Sequence, residues 1–410
     1  MKASTVAIEA PSAVAAPTDR AYIIRIVLLF CFGWAMVYAD RTTLYPLVRV
    51  IQEDLGLSSA QAGWITGLYF LIYAPMHGVG GVIGDWLGLK RILVTFMTLA
   101  GLGLLLLGTS AGYHLLLLGI AVHGFGVGCF YVGAYGITMQ TVPSAMRGIS
   151  SAVINSGMSL GFVTGLVSAG PLYEATGSWR VPFLVLAVPT LAAAAAYQAL
   201  IRPVPPQGFT LRGIGAFFRD RQLLCLALAA FTVIYAFFVV LAWGPAFFQA
   251  ERGFGILKSA LFTAIVAVAA LPAGLTLGRL SDRVGRKRLS LILLPLGALC
   301  IFALPLVRSQ AMLFLVLAAY GLVGKLAWDP IMFAWAGDRV TATRPTTVGA
   351  SMGIFGFTIM MGASVAPVVT GWIRDLTGSL AGGFYLAGAL VLLGTLLLLV
   401  PAETVHRPQR

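Results

Sequence analysis

Twelve apolar runs, each long enough to cross a lipid bilayer, set the limits on what this chain can fold into. An α-helix rises 1.5 Å per residue, so about 20 apolar residues span a hydrocarbon core of about 30 Å. Such runs fall at 25–48, 61–84, 92–111, 113–140, 149–171 and 181–201. A second set follows at 222–248, 259–280, 289–307, 311–336, 347–371 and 380–401. Only 10% of the residues are charged, against about 25% in an ordinary soluble domain. Membrane β-strands would alternate in segments of about 10 residues, which these runs do not. The sequence predicts an all-α membrane protein with twelve transmembrane helices.

The organisation follows from what separates the runs. Residues 1–21 form an Ala/Pro/Thr-rich cytoplasmic tail, and 22–201 a bundle of six helices. Residues 202–221, with Pro203, Pro205, Pro206 and four arginines, form a cytoplasmic linker. A second six-helix bundle occupies 222–401, and 402–410 form a second cytoplasmic tail. With the N-terminus placed inside, nineteen of the 27 Lys and Arg residues lie on the cytoplasmic side. Six lie outside: Arg49, Arg180, Arg252, Lys258, Arg308 and Arg374. That excess predicts cytoplasmic termini and a plasma or bacterial-type inner membrane. The net charge of +13 is therefore a topology signal and gives no reason to expect nucleic acid. Cys31, Cys129, Cys225 and Cys300 sit in apolar runs without metal-ligand spacing and read as small buried hydrophobes.

The two halves repeat one another. Gly81-x-x-x-Asp85-x-x-Gly88 followed by Lys90-Arg91 recurs as Gly278-x-x-x-Asp282-Arg283-x-Gly285 followed by Arg286-Lys287-Arg288. Gly148, Ser150, Gly161, Gly170 and Gly177 recur as Gly349, Ser351, Gly362, Gly371 and Gly378. Parallel six-helix repeats imply two pseudo-symmetric halves. On these residues the chain resembles the major facilitator superfamily over essentially its whole length. The resemblance implies that Gly81, Asp85, Gly88, Arg91, Asp282, Arg283, Gly285 and Arg286 belong to a gate that changes with conformation. An Asp at a helix end that can accept from Arg suits such a latch. Gly157, Gly161 and Gly165, four residues apart, predict close helix packing, or thin helices able to rock against the other half.

The groups that carry chemistry are the ionisable residues inside the spans. Each costs about 2.5–3.5 kcal/mol at mid-membrane on insertion scales, so they mark functional positions. Asp40 and Arg41 are about 100° apart around a helix and point to different neighbours. Lys325 and Asp329, at i and i+4, share a face and can neutralise each other or serve a site. His123 stands among glycines in the fourth span. An Arg in a desolvated cavity grips a carboxylate at two points, and an intramembrane Asp can carry a proton. Arg41, Lys325, Tyr38, Tyr131, Asn155 and His123 are the expected substrate-binding residues, with Asp40 and Asp329 as proton carriers.

Tyr38-Ala39-Asp40-Arg41-Thr42 further resembles the first helix of the organic anion:cation symporter branch. That resemblance implies transport of sugar acids and other carboxylates with protons or sodium. Many of its members carry an Arg and a Glu on the fourth helix, where this chain reads His114-Leu-Leu-Leu-Leu-Gly-Ile-Ala-Val-His123-Gly. The expected function is alternating-access uptake of a small organic anion with protons by a monomer that needs no cofactor. Proton-antiport export of hydrophobic or cationic compounds is one alternative, and a non-transporting ligand sensor of the same fold is another. An enzyme is not expected: the chain has no phosphate-binding Gly-rich loop and no Ser/His/Asp or metal spacing at a common depth.

Overall fold

The computed structural model describes residues 19–204, 214–343 and 348–404, so both tail ends and part of the linker lie outside the description. The first half runs α1 (Arg20–Thr42), α2 (Leu44–Leu55), α3 (Ser59–Leu87), α4 (Leu89–Gly108), α5 (Tyr113–Gly128), α6 (Phe130–Thr141), α7 (Ser144–Thr176) and α8 (Val181–Leu200). A short α9 (Ile214–Arg219) leads into the second half. There α10 (Arg221–Phe238) and α11 (Gly244–Arg252) flank a π-helical stretch, Val239–Trp243. Then come α12 (Ile256–Val284), α13 (Arg286–Leu306), α14 (Gln310–Val323), α15 (Lys325–Thr343), α16 (Val348–Thr377) and α17 (Ala381–Leu397). Ten stretches among the described residues are long and apolar enough to cross a membrane. With the 29-residue α3 and the shorter apolar α17 they make twelve passes.

Every third pass is interrupted. The first breaks at Thr43, the fourth at Cys129, the seventh in the π-helical stretch and the tenth at Gly324, whose ψ is −160°. Interruptions inside a bilayer are tolerated where freed backbone groups find partners in neighbouring helices. At the first break Thr42 Oγ1 donates to the Tyr38 carbonyl at 2.8 Å, and the Thr42 and Thr43 hydroxyls also tie the break to α7 through the carbonyls of Phe162 (3.2 Å) and Gly165 (3.1 Å). The repeat is also written in the backbone. Among the described residues the positive-φ positions are Gly56 and Gly253, Gly88 and Gly285, and Gly177 and Gly378, each pair ending equivalent helices. Gly88 (φ +83°) and Gly285 (φ +108°) explain the glycine that closes each copy of the loop motif.

The halves meet along α3 with α16 and α7 with α12. At the end away from the chain termini the α3–α16 seam has no room for side chains. A Cβ on Gly63 would strike Pro367 and Val368, one on Gly67 would strike Ser364, and one on Gly371 would strike Ser59. Gly170, the repeat mate of Gly371, is likewise pressed against Leu257 of the other half. Asp375 crosses the seam and accepts from the amides of Ser59 (2.7 Å) and Ala60 (2.8 Å), capping α3 from outside its own half. Ser364 Oγ donates to the Gly67 carbonyl at 2.9 Å, and Gln249 Nε2 to that of Pro46 at 3.0 Å. At the other end the main packing of α6 is within its own half, and among the described residues positions 337, 353 and 356 face open space. The cleft between the halves therefore opens on the side of the termini. Gly157, Gly161 and Gly165 lie against Cys31, Ala35 and Ala39 of α1, so they serve packing inside the first half.

Bulk at the seam should undo this closure. Gly63→Leu is expected to raise, several-fold, the labelling of a cysteine placed at Thr66 by an impermeant thiol reagent added on the side opposite the termini. Unchanged labelling would mean that the seam does not hold the closed end.

Candidate functional site

The first-helix motif sits two residues before the break at Thr43, and the backbone points its two charges apart. Asp40 is buried and accepts from Thr190 Oγ1 of α8 at 3.0 Å through Oδ2, while its Oδ1 is buried without a partner. Arg41 is buried, 8% exposed, beside Phe70, which packs on Phe238 of the other half. Aromatic rings surround its guanidinium carbon, with centroids at 4.1 Å (Tyr38), 5.3 Å (Phe70) and 5.9 Å (Tyr69). Its Nε is buried and unpartnered, and no carboxylate pairs with it among the described residues. Cation–π contacts with desolvated rings are worth about 2 kcal/mol or more. They hold the cation without neutralising it, which leaves its charge available to an anion.

A narrow cavity beside this group is lined by Asp40, Arg41, Tyr45, Thr66, Tyr69 and His123, closed by apolar side chains. His123 Nδ1 lies 3.1 Å from the Ala100 carbonyl, which selects the Nδ1–H tautomer and leaves Nε2 as an acceptor. That Nε2 is buried without a partner, and the ring stands 5.7 Å from Tyr69. The structure thus gathers three of the expected groups, Asp40, Arg41 and His123, around one cavity.

The opposite half contributes a different arrangement. Lys325 directly follows the Gly324 break and pairs with Asp329, Nζ to Oδ2 at 2.6 Å. This is the self-neutralising bridge that i,i+4 spacing allows. Lys325 Nζ also lies 5.3 Å from the Phe237 ring. Phe237 touches Phe238, which packs on Phe70 at 4.4 Å, and Phe70 touches Arg41. An aromatic chain therefore stands between the two cations, and Lys325 and Asp329 do not line the Arg41 cavity.

Tyr131 lies on α6 with its ring tilted against Tyr135 and edge-on to Trp34, and Asn155 accepts a hydrogen bond from the Tyr135 hydroxyl. Of the expected gate, Arg91 and Arg283 are exposed, and Gly88 and Gly285 end their helices. Arg286 bridges Asp338 and Asp282, the latter at 3.3 Å, and Glu403 caps α13 through the amides of Arg286 and Lys287. These contacts all lie within the second half. The side chains of Gly81 and Asp85 lie outside the description. Phe70, Thr190, Asp338 and Asp375 went unread in the sequence. Phe70 and Thr190 are ordinary span residues, and a cap donated across 315 positions has no local signal.

The sequence model of the Major Facilitator Superfamily matches residues 30–350. A probable sulfoacetate transporter of Cupriavidus necator is 25% identical, covering 93% of this chain and 94% of that protein. The hexuronate transporter of Bacillus subtilis is 27% identical, covering 90% and 92%. A crystal structure of a bacterial homologue of the human lysosomal transporter Spinster, inward-facing and occupied, superposes with a TM-score of 0.79 at 15% identity. It covers 93% of this chain and 97% of that one.

If the Lys325–Asp329 bridge is structural, removing one partner leaves an uncompensated charge. Lys325→Met is expected to lower the melting temperature, and Lys325→Met with Asp329→Leu to restore most of the loss. A double variant as unstable as the single one would assign the pair another role.

Proposed function

The chain belongs to the major facilitator superfamily, and from that premise we propose that it takes up a small organic anion with protons by alternating access. The single observation that carries this reading is Arg41: a buried cation at mid-depth, held by rings and paired with no carboxylate. A guanidinium in such surroundings offers a bidentate, weakly competed site for a carboxylate. The similarity to transporters named for sulfoacetate and hexuronate supports the same substrate class.

The charges support proton coupling. Lys325 and Asp329 cancel each other, so the balance at the cleft reduces to Arg41 against Asp40. With Asp40 ionised the pair sums to zero, and an incoming anion leaves the site negative in a medium that penalises net charge. With a proton on Asp40 the anion is balanced by Arg41. Its buried, unpartnered Oδ1 is the place for that proton, and His123 Nε2 on the same cavity can relay it. Export of cationic compounds fits less well, because Arg41, buried and without a carboxylate partner among the described residues, would repel a cation brought beside it.

In this reading 22–201 and 222–401 are the moving bodies and 202–221 the tether. The membrane is a bacterial-type inner membrane with cytoplasmic termini, the cleft opens inward, and the α3–α16 seam is the outer gate. Tyr38 and Tyr131 would contact the anion, with Asn155 on its path.

Arg41→Ala is expected to abolish the stabilisation that organic acids give in a thermal-shift assay. Binding at wild-type affinity in that variant would refute the site. Asp40→Asn is expected to retain counterflow in proteoliposomes while losing accumulation driven by an imposed pH gradient. Accumulation that persisted would remove Asp40 from the proton path. Absence of counterflow in the wild-type protein would favour a sensor over a carrier.

A further inference from the structure

The cavity beside Arg41 measures about 10 Å3, room for a single water molecule. Five buried polar atoms on its lining residues lack a hydrogen-bond partner among the described residues: Asp40 Oδ1, His123 Nε2, Arg41 Nε and the hydroxyls of Tyr45 and Tyr69. Each belongs to a residue no more than 8% exposed. Thr66 lines the cavity as well, but its hydroxyl is spent on the Gly63 carbonyl at 3.0 Å. Apolar cavities stay dry, whereas a polar one of this size holds water that satisfies its walls.

The five atoms sort by chemistry. An ionised Asp40 carboxylate only accepts, and the Nδ1–H tautomer of His123 makes its Nε2 an acceptor too. Two acceptors cannot bond each other, so what joins them must bring two hydrogens. The Tyr45 and Tyr69 hydroxyls and the Arg41 Nε–H are donors, and two of them fill the lone pairs of whatever sits between. Water supplies two hydrogens and two lone pairs. A metal cation supplies no hydrogen and would face the Arg41 charge. The groups come to this one cavity from four helices: Asp40 and Arg41 from α1, Tyr45 from α2, Tyr69 from α3 and His123 from α5.

We propose that one buried water, held by the Tyr45 and Tyr69 hydroxyls, joins Asp40 Oδ1 to His123 Nε2 and carries the proton between them. This rests on Asp40 as the proton carrier and adds the path by which the proton leaves it. The protonated carboxyl gives its hydrogen to the water as the water gives one of its own to Nε2. One O–H bond of the acid breaks, one N–H bond forms, the water is regenerated, and a carboxylate and an imidazolium remain. Asp40 apart, Arg41 is the charged group on this cavity. The other neighbours are uncharged: Tyr45, Tyr69, the Ala100 carbonyl at His123 and Thr190 at Asp40. An anion on Arg41 offsets the repulsion between guanidinium and imidazolium, so the transfer follows anion binding. Tyr45 and Tyr69 are positioning residues in this scheme.

The test is infrared difference spectroscopy of the full-length protein in lipid, between acid and neutral pH, in ordinary and in heavy-oxygen water. The wild-type protein is expected to show a carboxyl band that Asp40→Asn lacks, and an O–H band that moves in heavy-oxygen water. The double variant Tyr45→Phe with Tyr69→Phe, which keeps both rings, is expected to lose the water band. After a jump from acid to neutral pH its Asp40 carboxyl band is expected to decay at least about tenfold more slowly. An Asp40 band without any water band in the wild-type protein overturns the inference and leaves Asp40 as the proton carrier, whether or not the variant folds. A water band unchanged in the double variant, or decay there at the wild-type rate, overturns it as well. Absence of the Asp40 band overturns the proton reading on which it rests.

Discussion

An unneutralised guanidinium at mid-depth is the constraint to which much of this molecule answers. Among the described residues Arg41 has no carboxylate partner, yet the chain retains it where a lone cation is expensive. Aromatic faces meet part of that cost through their quadrupoles without neutralising the charge. The break at Thr43 matters for the same reason. It falls beside Arg41, just as the Gly324 break falls beside Lys325, so both intramembrane cations stand where a helix is interrupted. Interrupted helices at a repeat interface are a recurrent way to build a midplane binding site.

Packing divides the labour between glycines and rings. Inside the first half, Gly157, Gly161 and Gly165 let α7 lie directly on the carbonyls of α1. Across the halves, Gly63, Gly67 and Gly371 do the same for α3 and α16, but only at one end. At mid-depth the contact passes to Phe70 and Phe238. Phe70 thus touches the cation in one half and, in the other, the residue that precedes the π-helical stretch. One ring thus lies against both the cation and the other half.

Much of the architecture was legible because it is periodic. Apolar runs of bilayer length marked all twelve passes, and two of the three glycine pairs with positive φ, Gly88 with Gly285 and Gly177 with Gly378, betrayed the repeat. The ionisable residues were legible as outliers, and the i,i+4 spacing of Lys325 and Asp329 correctly allowed an internal bridge. What was not legible depends on rotation and depth. Nothing local says that Phe70, among many phenylalanines, meets Arg41, or that Thr190 meets Asp40 across 150 positions. Asn155 was read as a free polar group, whereas Tyr135 occupies it. The glycines of α3 were passed over because their partners, Pro367 and Ser364, lie in the other half.

The cap on α3 shows where the duplicated halves have diverged. Asp375 covers the start of α3 from across the seam. By the repeat its counterpart is Glu174, yet Glu174 is exposed and α12 has no side-chain cap of its own. Of two equivalent positions, one therefore carries a bolt across the halves. The α3–α16 seam holds a carboxylate contact that the α7–α12 seam lacks, so the strengths of the two seams are set by different residues.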